Sequence, residues 1–218
     1  MAHTSTRNEL LRKRRVDATV AELVKVLTDQ RQDVQARLDS HATTLLSKAW
    51  DQRLAEVIGP VNLATAREVA LRVARALAGK GHGYDPDVMT NWLTLNAGIA
   101  AESVNDSTRA SLAAAQETDD PDPVGSVFDL LLTSGVASLA VSMVTTAVNF
   151  AAHDAAQAVG AQYKTWNTGR NPRPRHAALN GQVVALDSTF SNGARYPGDP
   201  TLGPADLARC NCSMTIST

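Results

Sequence analysis

The chain changes character at residue 163, and that change restricts the fold more than any single motif does. From Tyr163 onward prolines stand at 172, 174, 197, 200 and 204 among glycines, with Trp166, Phe190 and Tyr196 between them. Proline removes a backbone donor and glycine raises the cost of ordering the chain, so this stretch predicts short strands and ordered loops in place of a long helix. Before it, Ala, Leu and Val recur in helical rhythm. The expected class is mainly α: a helical N-terminal region, bundle or coiled-coil-like, over residues 1–162, then a small α+β C-terminal module with short strands over 163–218.

In the helical region Val16, Val20, Leu23, Leu27, Gln30, Val34 and Leu38 alternate four and three apart. That is the seam of a bundle, with one polar interruption at Gln30, and it predicts a helix from about Ser5 to Ser40. A second helix is expected through Leu45, Leu54 and Ile58, stopped by Gly59-Pro60, and a third from Leu63 to Ala78. Gly79 to Gly83 reads as a helix C-cap, because the spacing of a phosphate-binding loop is missing. Asp85-Pro86 opens a fourth helix with Val88, Met89, Trp92, Leu93, Ile99 and Ala100 as its buried face. A shorter helix follows from Thr108, and ETDDPDP (117–123) is a solvated break.

No Asp, Glu, Lys or Arg occurs between Asp129 and Asp154. Such a run is long enough to cross a bilayer, but Ser138, Ser142, Thr145, Thr146 and Asn149 keep it polar, and a buried central helix is the expectation. A membrane-active role for residues 130–153 is the alternative, with no stable membrane association expected under the main reading.

Charge is segregated beneath a net of -1: residues 1–15 carry +4, 16–162 carry -8 and 163–218 carry +3. Basic ends suit contact with polyphosphate, although a run such as RKRR is also an ordinary solvated helix face. Met1 to Arg15 is polar with no apolar stretch after it, so no secretory signal is expected. Cys210 and Cys212 are too close in sequence for an unstrained disulfide, which argues against a secreted disulfide scaffold.

In the module, Asn180-Gly181 and Asn192-Gly193 are turn signals, QVVALD (182–187) and CSMTI (212–216) are candidate strands, and Cys210 and Cys212 fall on one face of an extended chain. If His176 approaches them, three soft ligands converge and a fourth group or water completes a zinc site. The other reading is two small buried cysteines and a histidine held by a backbone carbonyl. Arg173 and Arg175 flank Pro174, which stiffens the segment as a strand and aims both guanidinium groups to one side. Lys164, Arg170, Arg173, Arg175 and His176 are the candidate contacts to DNA phosphate or an acidic partner, and Asp187, Asp199 and Asp206 are the acids that would otherwise pair with them. An enzyme reading sets His176 with Arg173, Arg175 and Tyr196 as general base and phosphate clamp, but no second residue is an obvious acid partner, and no nucleophile elbow or paired-carboxylate motif completes it.

In order, Trp166, NPRPRH (171–176), LNG (179–181), Phe190, PGDP (197–200) and RCNC (209–212) resemble the C-terminal domain of the Mu F-like head morphogenesis family, the minor head proteins of tailed bacteriophages. Trp166, Asn180, Gly181, Phe190, Cys210 and Cys212 are the core of the resemblance; Asn171-Pro172 departs from it, since many members carry an acidic residue there. The resemblance implies a protein made in the bacterial host cytoplasm and placed inside the virion head near the portal. There it acts in head morphogenesis or genome ejection. The implied partners are the portal, capsid or scaffold proteins, DNA without sequence preference, and further copies of the chain through its helices. It brings no established catalytic mechanism. The alternative function is a nucleic-acid-binding, nuclease-like or toxin-like effector packaged with the genome.

Overall fold

The computed structural model describes residues 2–80 and 83–218, the side chains of 2–8 excepted. Five helices build the N-terminal region: α1 (Ala2–Asp39), α2 (Ala49–Ala78), α3 (Thr90–Glu117), α4 (Pro123–Leu130) and α5 (Val136–Ala158). A π-helical turn over Leu131–Gly135 joins α4 to α5 without a break. The module then adds β1 (Tyr163–Asn167), the single-turn helix α6 (Pro174–Ala177), β2 (Val183–Ala185), the single-turn helix α7 (Pro204–Leu207) and β3 (Ser213–Ser217). This is the expected mainly α protein with a small α+β end.

Several boundaries differ from expectation, each for a packing reason. Gly59-Pro60 does not stop a helix: α2 runs through Pro60, because Trp50, Leu54 and Ile58 before it and Asn62, Ala66 and Ala70 after it form one buried stripe. Burial on both sides outweighs the one hydrogen bond that proline forfeits. The second helix begins at Ala49 and not at Leu45, and α3 passes through Thr108 without a restart. Its buried line is Met89, Leu93, Ala97, Ala101, Asn105, Thr108 and Leu112, so Val88 and Ile99 face solvent. Asp85 does cap the entry, accepting from the Asp87 amide at 2.9 Å, and Gly79 caps α2 at φ 75°; Gly81 and His82 lie outside the described residues.

The Gln30 interruption is the end of a polar chain. Its amide donates to Asn105 Oδ1 at 2.9 Å, Asn105 donates to Asp51 Oδ1 at 2.8 Å, and Arg109 closes on Asp51 at 2.5 Å. Buried polar groups need partners, so this chain fixes the register of α1, α2 and α3 around the core of Leu23, Leu27, Val34, Leu54 and Phe128.

The sheet has order β2-β1-β3 with both pairings antiparallel, Tyr163 facing Ala185 on one side and Ser217 on the other. Its inner face joins the helices through Met214 and Ile216. Trp92 stacks on Phe150 with ring centroids 3.7 Å apart, and the edge of Tyr196 meets the Trp92 ring.

The described part of Pro123–Ala158 is one helical stretch long and apolar enough to cross a membrane, but the polar side chains of α5 have partners within the protein. Ser142 donates to Leu207 O (3.0 Å), Thr145 to Cys210 O (2.5 Å), Thr146 to Gly198 O (2.8 Å) and Asn149 to Cys212 O (3.2 Å). The module is thus hydrogen-bonded along one face of the apolar helix. Gly198 is required there: its φ is 81°, and a Cβ would sit 3.1 Å from the Thr146 amide.

Replacing Asn105 with Ala orphans Gln30 and one Asp51 bond in the core, and urea denaturation should show a loss of about 2–4 kcal/mol with an unchanged slope.

Candidate metal centre

The centre lies where the loop after β1 meets the segment before β3. Pro174 at the first position of α6 starts one helical turn, so the segment turns after Arg173 and does not run on as a strand, and that turn carries His176 inward to 2% exposure. Cys210 and Cys212 precede β3 in extended chain and are equally buried. Nδ1 of His176 stands 3.8 Å from Cys210 Sγ and 3.6 Å from Cys212 Sγ, and the three ligand atoms lie within 4.8 Å of one another. A tetrahedral zinc with Zn–S about 2.3 Å and Zn–N about 2.0–2.1 Å requires N···S separations of about 3.5 Å. The three donors therefore stand at metal-chelating spacing.

The surroundings fix the donors. Nε2 of His176 donates to Asp206 Oδ1 at 2.9 Å, which leaves the Nδ1 lone pair toward the sulfurs, and Arg175 holds the same carboxylate oxygen at 2.5 Å. A carboxylate behind a ligating histidine is the usual means of setting its tautomer. Cys212 is the more acidic thiol of the pair: a hydrogen bond from Cys210 and then the Gly169 amide hold it below the usual thiol range against burial. Cys210, as the donor, is pushed up. Gly169 can have no side chain, since a Cβ would lie 2.6 Å from Asn211 O.

Four of the six expected motif-core residues form one cluster, while Asn180 and Gly181 are exposed. Trp166, Leu179, Phe190, Ala194, Cys210 and Cys212 pack together, Phe190 edge-on to Trp166 at 5.0 Å and His176 edge-on to it at 5.7 Å. The Trp166 indole N–H is buried among these groups and has no hydrogen-bond acceptor. Asn180 Oδ1 accepts from Thr168 at 3.0 Å and Gly181 turns the chain at φ 79°, as the Asn-Gly pair predicted.

The proposed basic set is divided. Arg173 donates to Ala208 O and Arg175 to Ala205 O and Asp206, so both reach the same loop, and Arg170 is exposed beside them. Lys164 does not belong with them. It is 0% exposed, donates to Leu186 O at 2.7 Å, faces His153 Nε2 at 3.2 Å and has Nζ 5.5 Å from the centre of the Phe190 ring, so it cannot meet a phosphate. Burial lowers its pKa to about 8. Asp199 pairs with Arg195, and Tyr196 rests against His153 and Phe150, so the general-base constellation of His176 with Tyr196 is not assembled.

Two contributors were not legible in the sequence. Arg12, from the RKRR run of α1, donates to Thr145 Oγ1 at 2.7 Å and to the Asn211 and Cys212 carbonyls at 3.4 Å. Burial opposes its charge, and Cys210 and Cys212 favour it. Arg14 and Arg15 instead pair with Glu68. His153 is the second: burial first, then the Lys164 charge, lower its pKa to about 4.

Comparison of the chain with protein-family models, with curated proteins and with solved structures finds no match.

Two outcomes follow from this geometry. Gly169→Ala should displace Asn211 and open the site, so that both thiols react with a disulfide reagent under native conditions while the wild-type thiols stay protected. Because the folded His153 pKa lies below its unfolded value of about 6.5, its contribution is complete above that pH and lost as pH falls toward about 4. The urea midpoint should drop over that window, and His153→Gln should remove about 2–3 kcal/mol of the drop between pH 7 and 4.5.

Proposed function

We propose that this chain is a structural protein of a tailed-phage or prophage head, made in the bacterial cytoplasm and carried in few copies inside the virion near the portal. Its helices serve assembly against portal, capsid or scaffold partners or further copies of itself. Its C-terminal module is closed by a zinc ion on His176, Cys210 and Cys212. The observation that supports this reading is the single buried cluster into which Trp166, His176, Phe190, Cys210 and Cys212 gather. These are residues on which the resemblance to the Mu F-like head morphogenesis family rests, and here they have an architectural role.

The donor set fits zinc by chemistry as well as by spacing. Two thiols and an imidazole are soft to borderline donors, which suit Zn²⁺ over the hard cations that prefer oxygen. Bound there, zinc supplies a covalent cross-link between the α6 turn and the approach to β3. Asp206 orients the imidazole, Gly169 supports the Cys212 sulfur, and the packing of Trp166 over the ring keeps bulk water out.

Purified protein should carry about one zinc per chain by elemental mass spectrometry and lose thermal stability when a strong chelator is added. Cys212→Ser should bind no stoichiometric zinc and melt where the chelated wild type melts. For the virion assignment, quantitative mass spectrometry of purified particles should find a few copies per filled head, and absence of the chain from particles would refute that part of the reading.

A further inference from the structure

We propose that the two loops covering the metal centre form a face for the phosphate backbone of nucleic acid, with Arg170, Arg173, Arg175 and Arg209 as its contacts. This deepens the virion reading by naming a partner surface and assigns Arg209, which the sequence motifs did not single out. It rests on the folded module.

The loops 169–176 and 204–211 lie against each other, joined by the hydrogen bonds of Arg173 to Ala208 O and of Arg175 to Ala205 O. Arg209 adjoins Ala208, with its Nε on Ser138 Oγ at 2.6 Å, and Arg170 is exposed next to Gly169, whose Cα packs on Asn211. Among the described residues Asp206 is the one carboxylate ion-paired on these loops, and it is shared between Arg175 and His176. The other three arginines have only neutral acceptors or none, and Arg12 beneath them adds a fifth guanidinium whose acceptors are a hydroxyl and two carbonyls. The result is a positive surface on which five guanidinium groups face one ion-paired carboxylate among the described residues.

The composition of the face selects the ligand class. All four outer cations are arginine, whose planar fork matches phosphate oxygens, and each uses only part of its five donors on the protein. The backbone carbonyls on Arg173 and Arg175 preset those side chains before a ligand arrives. Trp166 and Phe190 are buried within the module and cannot stack on bases or anchor a peptide. A surface with charge and no anchors reads phosphate and not sequence.

The test is fluorescence anisotropy of the full-length protein with a labelled random-sequence 30-base-pair duplex, titrated from 50 to 200 mM salt. Four contacts predict a log–log salt slope of about -3.6, or roughly a 100-fold loss of affinity over that range. The double variant Arg170→Gln with Arg209→Gln should bind with a slope of about -1.8 and lose roughly 10-fold over the same range. Lys48→Ala, which is paired with Glu102 and Asp106 among the helices, should leave the slope unchanged. No binding at 50 mM, an unchanged slope in the double variant, an equal loss in Lys48→Ala, or displacement of the duplex by polyglutamate as effectively as by unlabelled DNA would each overturn the proposal, the last by assigning the face to an acidic polypeptide. Zinc content and circular dichroism measured on the same samples separate failure of this face from failure of the metal centre, and particle composition tests the virion assignment independently.

Discussion

The structure depends on one helix face that is apolar in composition and polar in use. Along α5, Ser142, Thr145, Thr146 and Asn149 each reach a carbonyl of the C-terminal module, at Leu207, Cys210, Gly198 and Cys212. A short module rich in turns has a small core, and alone it would leave these carbonyls to water. Docked on α5, they are satisfied in a partly buried interface, where an unmade bond is expensive. The same side chains that make the helix a poor lipid-facing segment make it a good cradle.

The geometry of the candidate metal centre follows from that docking. The carbonyls of Cys210 and Cys212 are fixed by Thr145, Asn149 and Arg12, so both sulfurs are directed away from α5 and toward the α6 turn. From the other side, Pro174 starts the turn that brings in His176, and Asp206 locks its ring. The two halves of the site are held by separate elements and meet at 3.6 and 3.8 Å. Such preorganisation lowers the entropy cost of chelation and gives the cluster around Trp166 a fixed partner.

Local chemistry carried much of this into the sequence. The break at residue 163, the Asn180-Gly181 turn and the Asp85 cap each rest on a few neighbouring residues, and each was readable; the convergence of His176 on Cys210 and Cys212, 34 and 36 residues away, was one of two readings the sequence left open. What was hidden is tertiary. Pro60 reads as a stop, yet burial on both sides carries α2 through it; Lys164 reads as a surface cation, yet its place in β1 turns it under Leu186. Arg12 stands in a basic run beside Arg14 and Arg15, and nothing in that run tells which arginine enters the module and which pair with Glu68. Gln30 looks like a defect in a two-helix seam until α3 supplies Asn105.

We propose that His176, Cys210 and Cys212 hold one zinc ion as the staple of the module. X-ray absorption at the zinc edge on the purified full-length protein tests it most directly. Two sulfur scatterers at about 2.3 Å together with nitrogen or oxygen at about 2.0–2.1 Å are expected. A shell of nitrogen and oxygen alone, or a sample without stoichiometric zinc that keeps its full thermal stability, would contradict it.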